Sequence, residues 1–288
     1  MASQPDYTEL GWIEAVVERA LAEDLAAGDV TTRAVVPASA RASARLVARS
    51  PCVVAGLAVF ARVFERVDPQ VTVDLAVSDG AAVAAGAELA RVSGRARSLL
   101  AAERTALNLL ARACGVATRT RAYVEAAGPV RVADTRKTMP GLRPLDRYAV
   151  RCGGGENHRN DLGAAVLIKE NHARVAGGVG AAVRRARAAA GHMTVVSCEV
   201  TCLAQVRAAV EAGADVVLLD NMDDETIRAA VAVVAGRAVV EVSGGLSPER
   251  LRGLAALGVD VASVGAITHS APAADLSLLF DDPDRTPE

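Results

Sequence analysis

Lysine is nearly missing from this chain. Of 288 residues, 32 are basic, and 30 of those are arginine; the two lysines are Lys137, in "DTRKTMPGLR", and Lys169, in "LIKENH". Surface cations exchange easily, so a drift this strong towards arginine removes dispensable lysines. The survivors are expected where a compact ammonium with an adjustable pKa is needed, which a guanidinium cannot supply. Aromatic residues make up 2%, too few to build the stacking platforms of single-strand nucleic-acid binders. A formal net charge of −2 leaves no basic footprint for nucleic acid either. No apolar run approaches the length of a membrane span, and the first thirty residues are acidic and amphipathic, unlike a signal peptide. The expected location is the cytoplasm. Cysteine is scarce and odd in number: Cys52, Cys114, Cys152, Cys198 and Cys202. "CEVTC" lacks the paired His or Cys of a zinc site, so buried reduced thiols are expected.

What the chain has is Ala, Val and Leu, within a hydrophobic content of 51%. Residues 8–25 place Trp12, Val16, Val17, Ala20 and Leu21 on one helical face, and the glycine of "GDVTT" ends that helix. Residues 41–95 read as short strands separated by turns, with Asp79-Gly80 marking one of them. Biotinyl and lipoyl carriers share this rhythm but carry a lysine at the hairpin tip, and this segment has none. Residues 97–127 have a helical apolar period through Leu99, Leu100, Ala106, Leu107 and Leu110. From 130 onward, six β-branched runs appear: "VRVADT", "AAVLIKE", "TVVSCEV", "DVVLLDN", "AVVEVSG" and "VASVGAI". Ala-rich helical stretches separate most of them. That alternation predicts an α/β fold with a helix-covered parallel sheet, organised as an incomplete (β/α) barrel.

Each run ends in a polar or glycine group: Arg136-Lys137, Lys169-Glu170, Glu199, Asp220-Asn221, Ser243-Gly244-Gly245 and Gly265. Strand ends of such a fold meet on the carboxyl face, where active sites are built. Between residues 131 and 172 lie eight Lys or Arg, together with His158 and His172. There "RCGGGENHRN" offers backbone N–H groups to an anion. Arginine adds planar two-point recognition of carboxylate or phosphate. Glu199 and Asp220 have the chemistry to share Mg²⁺ or hold sugar hydroxyls. "SGGLSPE" and "VGAITHS" are glycine turns of the kind that take a phosphate, with a helix expected to start at Ser247-Pro248. His192 and His269 stand outside this pattern and are expected to be structural or surface residues.

These motifs, in order, resemble the quinolinate phosphoribosyltransferase family: "EDLAAGDVTT", "AERTALNLL", "DTRKTMPGLRPLDRYAVRCGGGENHRNDL", "LIKENH", "LLDN", "SGGL" and "VGAITHSAPAADLSL". The resemblance implies an N-terminal α/β sandwich, 1–112, joined by the C-terminal tail 271–288, and an open α/β barrel, 113–270. It implies a homodimer with shared active sites, acting on quinolinate and phosphoribosyl diphosphate with Mg²⁺. Arg136, Arg159 and Lys169 would hold the two carboxylates, His158 would line their pocket, and Arg104 would enter from the partner subunit. Lys137 would face the diphosphate. Glu199 and Asp220 would hold ribose hydroxyls and Mg²⁺, and Ser243, Gly244 and Gly265 would surround the 5′-phosphate. The catalytic set is therefore expected to be Lys137, Lys169, Glu199 and Asp220. Three positions depart from the family habit: Ala164, Ser197 and Thr201 stand where acids are common. A paralogue associated with molybdate transport, with a different phosphoribosyl acceptor, is the alternative. A Schiff-base aldolase using Lys169 is disfavoured by the surrounding cations. A non-catalytic phosphosugar binder is disfavoured by the intact set of charged residues.

Overall fold

A computed structural model describes residues 11–281. Residues 8–10 of the expected first helix, 1–10 of the expected N-terminal domain and 282–288 of the expected tail lie outside the described residues. The strands are β1 (Arg41–Ala48), β2 (Cys52–Val53), β3 (Thr72–Leu75), β4 (Ala82–Val83), β5 (Glu88–Arg95), β6 (Arg131–Ala133), β7 (Val166–Ile168), β8 (Val196–Val200), β9 (Val216–Asp220), β10 (Val239–Ser243), β11 (Val261–Ser263) and β12 (Leu276–Phe280). The helices are α1 (Trp12–Leu25), α2 (Val30–Val35), α3 (Leu57–Val67), α4 (Ala96–Ala127), α5 (Arg143–Cys152), α6 (Glu170–Val175), α7 (Val179–Ala189), α8 (Leu203–Glu211), α9 (Asp224–Val234), α10 (Pro248–Leu251) and α11 (Ala266–His269). No helix among the described residues is long and apolar enough to cross a membrane.

The chain divides into two units. One holds the residues up to Arg121, Thr138–Gly154 and the residues from Thr268; the other holds Ala122–Lys137 and Gly155–Ile267.

In the first unit an antiparallel sheet runs in the order β12-β1-β5-β3, so the last strand pairs with the first. Helix α3 buries Leu57, Val59, Phe60, Val63 and Phe64, with the Phe60 and Phe64 rings edge to face at 5.0 Å. Its start is fixed by a buried carboxyl. Asp79 accepts from the backbone N–H groups of Gly56, at 2.7 Å, and Leu57, at 3.2 Å, two donors that a helix start leaves without partners. Tyr148 on α5 donates its hydroxyl to the same carboxyl at 2.8 Å. The buried Asp146 of α5 receives two guanidinium N–H groups of Arg112 at 2.9 Å each, and the backbone N–H of Met139 at 3.1 Å. That pair ties the "TMPG" loop to α4.

In the second unit all six expected strands form one parallel sheet, in the order β6-β11-β10-β9-β8-β7. Helices α7, α8 and α9 turn Val183, Val206, Ala209, Ile227 and Ala230 into the core. Near-continuous apolar strands with helical cover are what a parallel sheet requires. Strands β6 and β7 do not pair with each other among the described residues, so the pairing establishes an open parallel sheet and not a closed ring. The closed (β/α)₈ barrel has eight parallel strands, and this sheet has six. One cysteine also departs from expectation: Cys202 is exposed, at the start of α8, while the other four thiols are buried.

Candidate active site

Six parallel strands bring six carboxyl ends to one edge. Along it, in spatial order, stand Arg136 and Lys137 after β6, Gly265 after β11, and Ser243-Gly244-Gly245 at β10. Asp220 on β9, Glu199 on β8 and Lys169 after β7 complete the row. Ala133, Ser263, Ser243 and Asp220 lie in register across four strands, and Glu199 lies opposite Leu218, two residues before Asp220. Because side chains alternate along a strand, Glu199, Asp220, Glu241, Ser243 and Ser263 share one face. All the sequence-predicted residues except Arg104 belong to this unit. Arg104 is exposed on α4, in the part of that helix assigned to the first unit.

The cationic end is built on the "GGGENHRN" loop. Arg136 and Lys137 are exposed, and the Lys137 backbone N–H donates to Thr135 Oγ1 at 3.1 Å. Arg159 is half-buried and donates from Nη1 to the Ala165 carbonyl at 2.9 Å; its Nε is buried without a partner. Burial first, and then the neighbouring Arg136 cation, hold the Arg159 pKa below its ordinary value, with Asp161 acting the other way. Two guanidiniums close enough to oppose each other's charge have the chemistry to take an anion between them. At the other end of the edge, Lys169 Nζ donates to Glu199 Oε2 at 3.0 Å, with the lysine side chain 54% exposed. An ion pair this open is weak and easily rearranged, so Lys169 can turn to an incoming anion.

Between the cations sits the acidic and glycine section. Ser243 Oγ donates to Asp220 Oδ1 at 2.9 Å, and Asn221 Nδ2 to Asp220 Oδ2 at 3.0 Å. Asn221 is one of two non-glycine residues with positive φ among those described, and its side chain covers Gly244. A Cβ at Gly244, whose φ is +99°, would lie 2.2 Å from Asn221 Oδ1. Glycine there avoids both the strain of that backbone and a clash with the Asn221 amide. Ser247 caps α10, accepting from the Arg250 N–H at 3.3 Å, with Pro248 in the first turn.

No group of three or more His, Cys, Asp or Glu among the described residues is arranged to hold a metal ion. Glu199 and Asp220 are oxygen donors on adjacent strands. They fit an ion that keeps its waters and takes phosphate oxygens from a substrate, as Mg²⁺ commonly does.

Three groups escaped the sequence reading. Asp134 is fully buried and accepts from the His158 N–H and from Asn157 Nδ2, both at 2.7 Å. Glu241 is 4% exposed in mid-strand, and Ser263 donates its hydroxyl to it. The acid in the apolar run "AVVEVSG" was the available signal. Of the three departures, Ala164 is exposed in a loop. Ser197 lies two residues before Glu199, buried with its Oγ unpartnered. Thr201 is exposed and bonds Gln205 Oε1 through its N–H at 2.8 Å.

Comparison with known proteins identifies the family. Residues 29–114 match the family described as quinolinate phosphoribosyl transferase, N-terminal domain, and residues 116–279 match its C-terminal domain. The nicotinate-nucleotide pyrophosphorylase [carboxylating] of Mycobacterium leprae is 43% identical over 270 residues, covering 91% of this chain and 95% of the relative. The probable nicotinate-nucleotide pyrophosphorylase [carboxylating] of Bacillus subtilis is 38% identical over 258 residues, covering 89% of each. A solved structure of the nicotinate-nucleotide pyrophosphorylase from Francisella tularensis superimposes with a TM-score of 0.89 at 39% identity, over 94% of this chain and 96% of that one. These relatives give no support to the molybdate-associated alternative. The chain belongs to the quinolinate phosphoribosyltransferase family.

Proposed function

We propose that this protein is a decarboxylating quinolinate phosphoribosyltransferase, which converts quinolinate and 5-phosphoribosyl 1-diphosphate into nicotinate mononucleotide, CO₂ and diphosphate. The observation that carries the reading is the sequence of groups along the strand-end edge: cations, a glycine turn, two carboxylates, a cation. Those groups answer the chemistry of the two substrates: cations for the carboxylates and the diphosphate, a glycine turn for the 5′-phosphate and two carboxylates for the ribose.

In this reading Arg136, Arg159 and Lys169 bind the two quinolinate carboxylates and His158 lines their pocket. Ser243, Gly244 and Gly265 surround the 5′-phosphate, and Glu199 and Asp220 hold the ribose hydroxyls. Mg²⁺, when bound with the diphosphate, adds positive charge at the leaving oxygens; Glu199 and Asp220 would hold it. Lys137 neutralises the diphosphate as the bond from the anomeric carbon to its oxygen breaks. The carboxylates face the positive charge that develops on the ribose. The pyridine nitrogen donates its lone pair to the anomeric carbon and becomes a ring cation. That cation takes up the electron pair of the bond to the 2-carboxylate as CO₂ departs, and a proton from water then fills the ring position. No side chain forms a covalent bond in this scheme; the protein positions and neutralises.

A homodimer with Arg104 reaching the site of the second copy completes the proposal. The test is a reaction of the purified protein with quinolinate, phosphoribosyl diphosphate and Mg²⁺, following nicotinate mononucleotide and CO₂. Product is expected with quinolinate and not with nicotinate, because a site built for two carboxylates leaves cations unpaired when one is missing. Lys137→Ala should lower kcat/KM on the order of 100-fold or more, the loss that follows removal of one preorganised group at a developing charge. Equal turnover of nicotinate, or no turnover of either acid, would remove the proposal.

A further inference from the structure

We propose that Glu241 is a positioning residue: through the His158 ring it fixes the loop that aims Arg159 at the substrate. Loop 156–159 is already tied to β6 by its backbone, with Glu156 N–H donating to Val132 at 2.8 Å and Asp134 N–H donating to Glu156 at 3.0 Å. Both oxygens of buried Asp134 then hold the loop, one accepting from the His158 N–H and the other from the Asn157 amide. The ring supplies the last tie. His158 Nδ1 accepts the Arg159 backbone N–H at 2.7 Å, so Nδ1 carries no proton and the ring proton sits on Nε2. Nε2 lies 3.4 Å from Glu241 Oε1, which Ser263 holds from β11.

The ring nitrogens are therefore turned to the loop's own backbone and to the sheet. His158 contributes the face or edge of its ring to the pocket and leaves anion binding to the guanidinium beside it. Arg159 is fixed at its backbone by the ring and at its tip by the Ala165 carbonyl. Such outer partners, which orient a binding group without touching the ligand, commonly decide whether that group is in place. The inference rests on the reading that Arg159 takes a quinolinate carboxylate.

Two measurements test it. In ¹⁵N-histidine correlation spectra of the unmutated protein, the signal lost in His158→Gln should show a protonated Nε2 and a bare Nδ1 at about pH 8, above the usual imidazole range. A protonated Nδ1 there would overturn the inference whether or not any variant folds. In kinetics, Glu241→Ala should raise the KM for quinolinate about tenfold and leave that for phosphoribosyl diphosphate within about twofold. Glu241→Gln, whose carbonyl can accept the Nε2 proton, should recover most of that loss. Equal effects of Ala and Gln, or a rise confined to phosphoribosyl diphosphate, would overturn it. Arg159→Ala separates the two layers: if it leaves the quinolinate KM unchanged, the substrate reading fails first. If it raises that KM while Glu241→Ala does not, the positioning role alone fails.

Discussion

Gly244 and Asn221 form one device made from two sequence motifs. The "LLDN" turn places Asn221 at φ 52°, and its amide occupies the space over Gly244 that a side chain would need. A methyl group at 244 meets both obstacles, a left-handed backbone and an amide oxygen 2.2 Å away. Gly244→Ala should therefore displace the Ser243-Gly244 turn, destabilise the fold by roughly 1–3 kcal/mol, and raise the KM for phosphoribosyl diphosphate more than that for quinolinate. Steady-state kinetics varying each substrate, with thermal unfolding alongside, would decide this; an unchanged KM for the phosphosugar would remove the phosphate role of this turn. The two lysines also act at this scale. Lys169 pairs with Glu199, which the proposed function places at the ribose, and Lys137 follows directly on Arg136.

At the scale of elements, two carboxyls govern the two ends of α3 and respond to pH in opposite directions. Asp68, just after the helix, is 1% exposed and accepts from Arg95 Nε at 2.7 Å, Ser98 Oγ at 2.8 Å and the Gln70 N–H at 3.0 Å. The Arg95 bond, the largest cause, together with those from Ser98 and Gln70, holds its pKa well below the ordinary carboxylate range against the opposing effect of burial. Its contribution is thus present above the unfolded-state value of about 4 and is lost as pH falls through the lower folded value. With Arg95 half exposed, solvent screening keeps the contribution modest. Asp68→Asn should cost about 1–2 kcal/mol at neutral pH and progressively less in acid, which urea unfolding at a series of pH values would register. An equal cost at every pH would show that charge is not the source. At the other end, burial raises the Asp79 pKa. Its favourable balance is present below the unfolded value and lost as pH rises through the raised one. The elements themselves were largely legible, because α4 and the six parallel strands follow strong apolar periods. The roles of these two acids were not, since their partners sit tens of positions away in the chain.

The whole molecule divides what sequence could and could not reveal along the same line. The strand-end residues were readable because the chain repeats one unit, an apolar run followed by a polar or glycine stop. A parallel sheet converts that repeat into a single edge. Asp134 and Glu241 were not readable as neighbours of the His158 loop, because Asp134 meets it through bonds to Asn157 and His158, more than twenty positions on, and Glu241 through its place in the assembled sheet. Arg104 raises the remaining question at this scale. It is exposed on the long helix, and the proposed function places it in the active site of a second copy. A closed twofold assembly makes that proposal testable by mixing. Arg104→Ala and Lys137→Ala homodimers each carry the same defect in both of their sites and should be nearly inactive. Unfolded together in equal amounts and refolded, the two chains should form mixed dimers about half the time by random pairing of twofold partners. In each mixed dimer one site combines the intact Lys137 of the first chain with the intact Arg104 of the second, while the other site carries both defects. Activity should then return to about a quarter of wild type, since about half the dimers have one good site in two. If Arg104 served its own chain's site, every site in the mixture would hold one defective residue, and mixing would restore nothing.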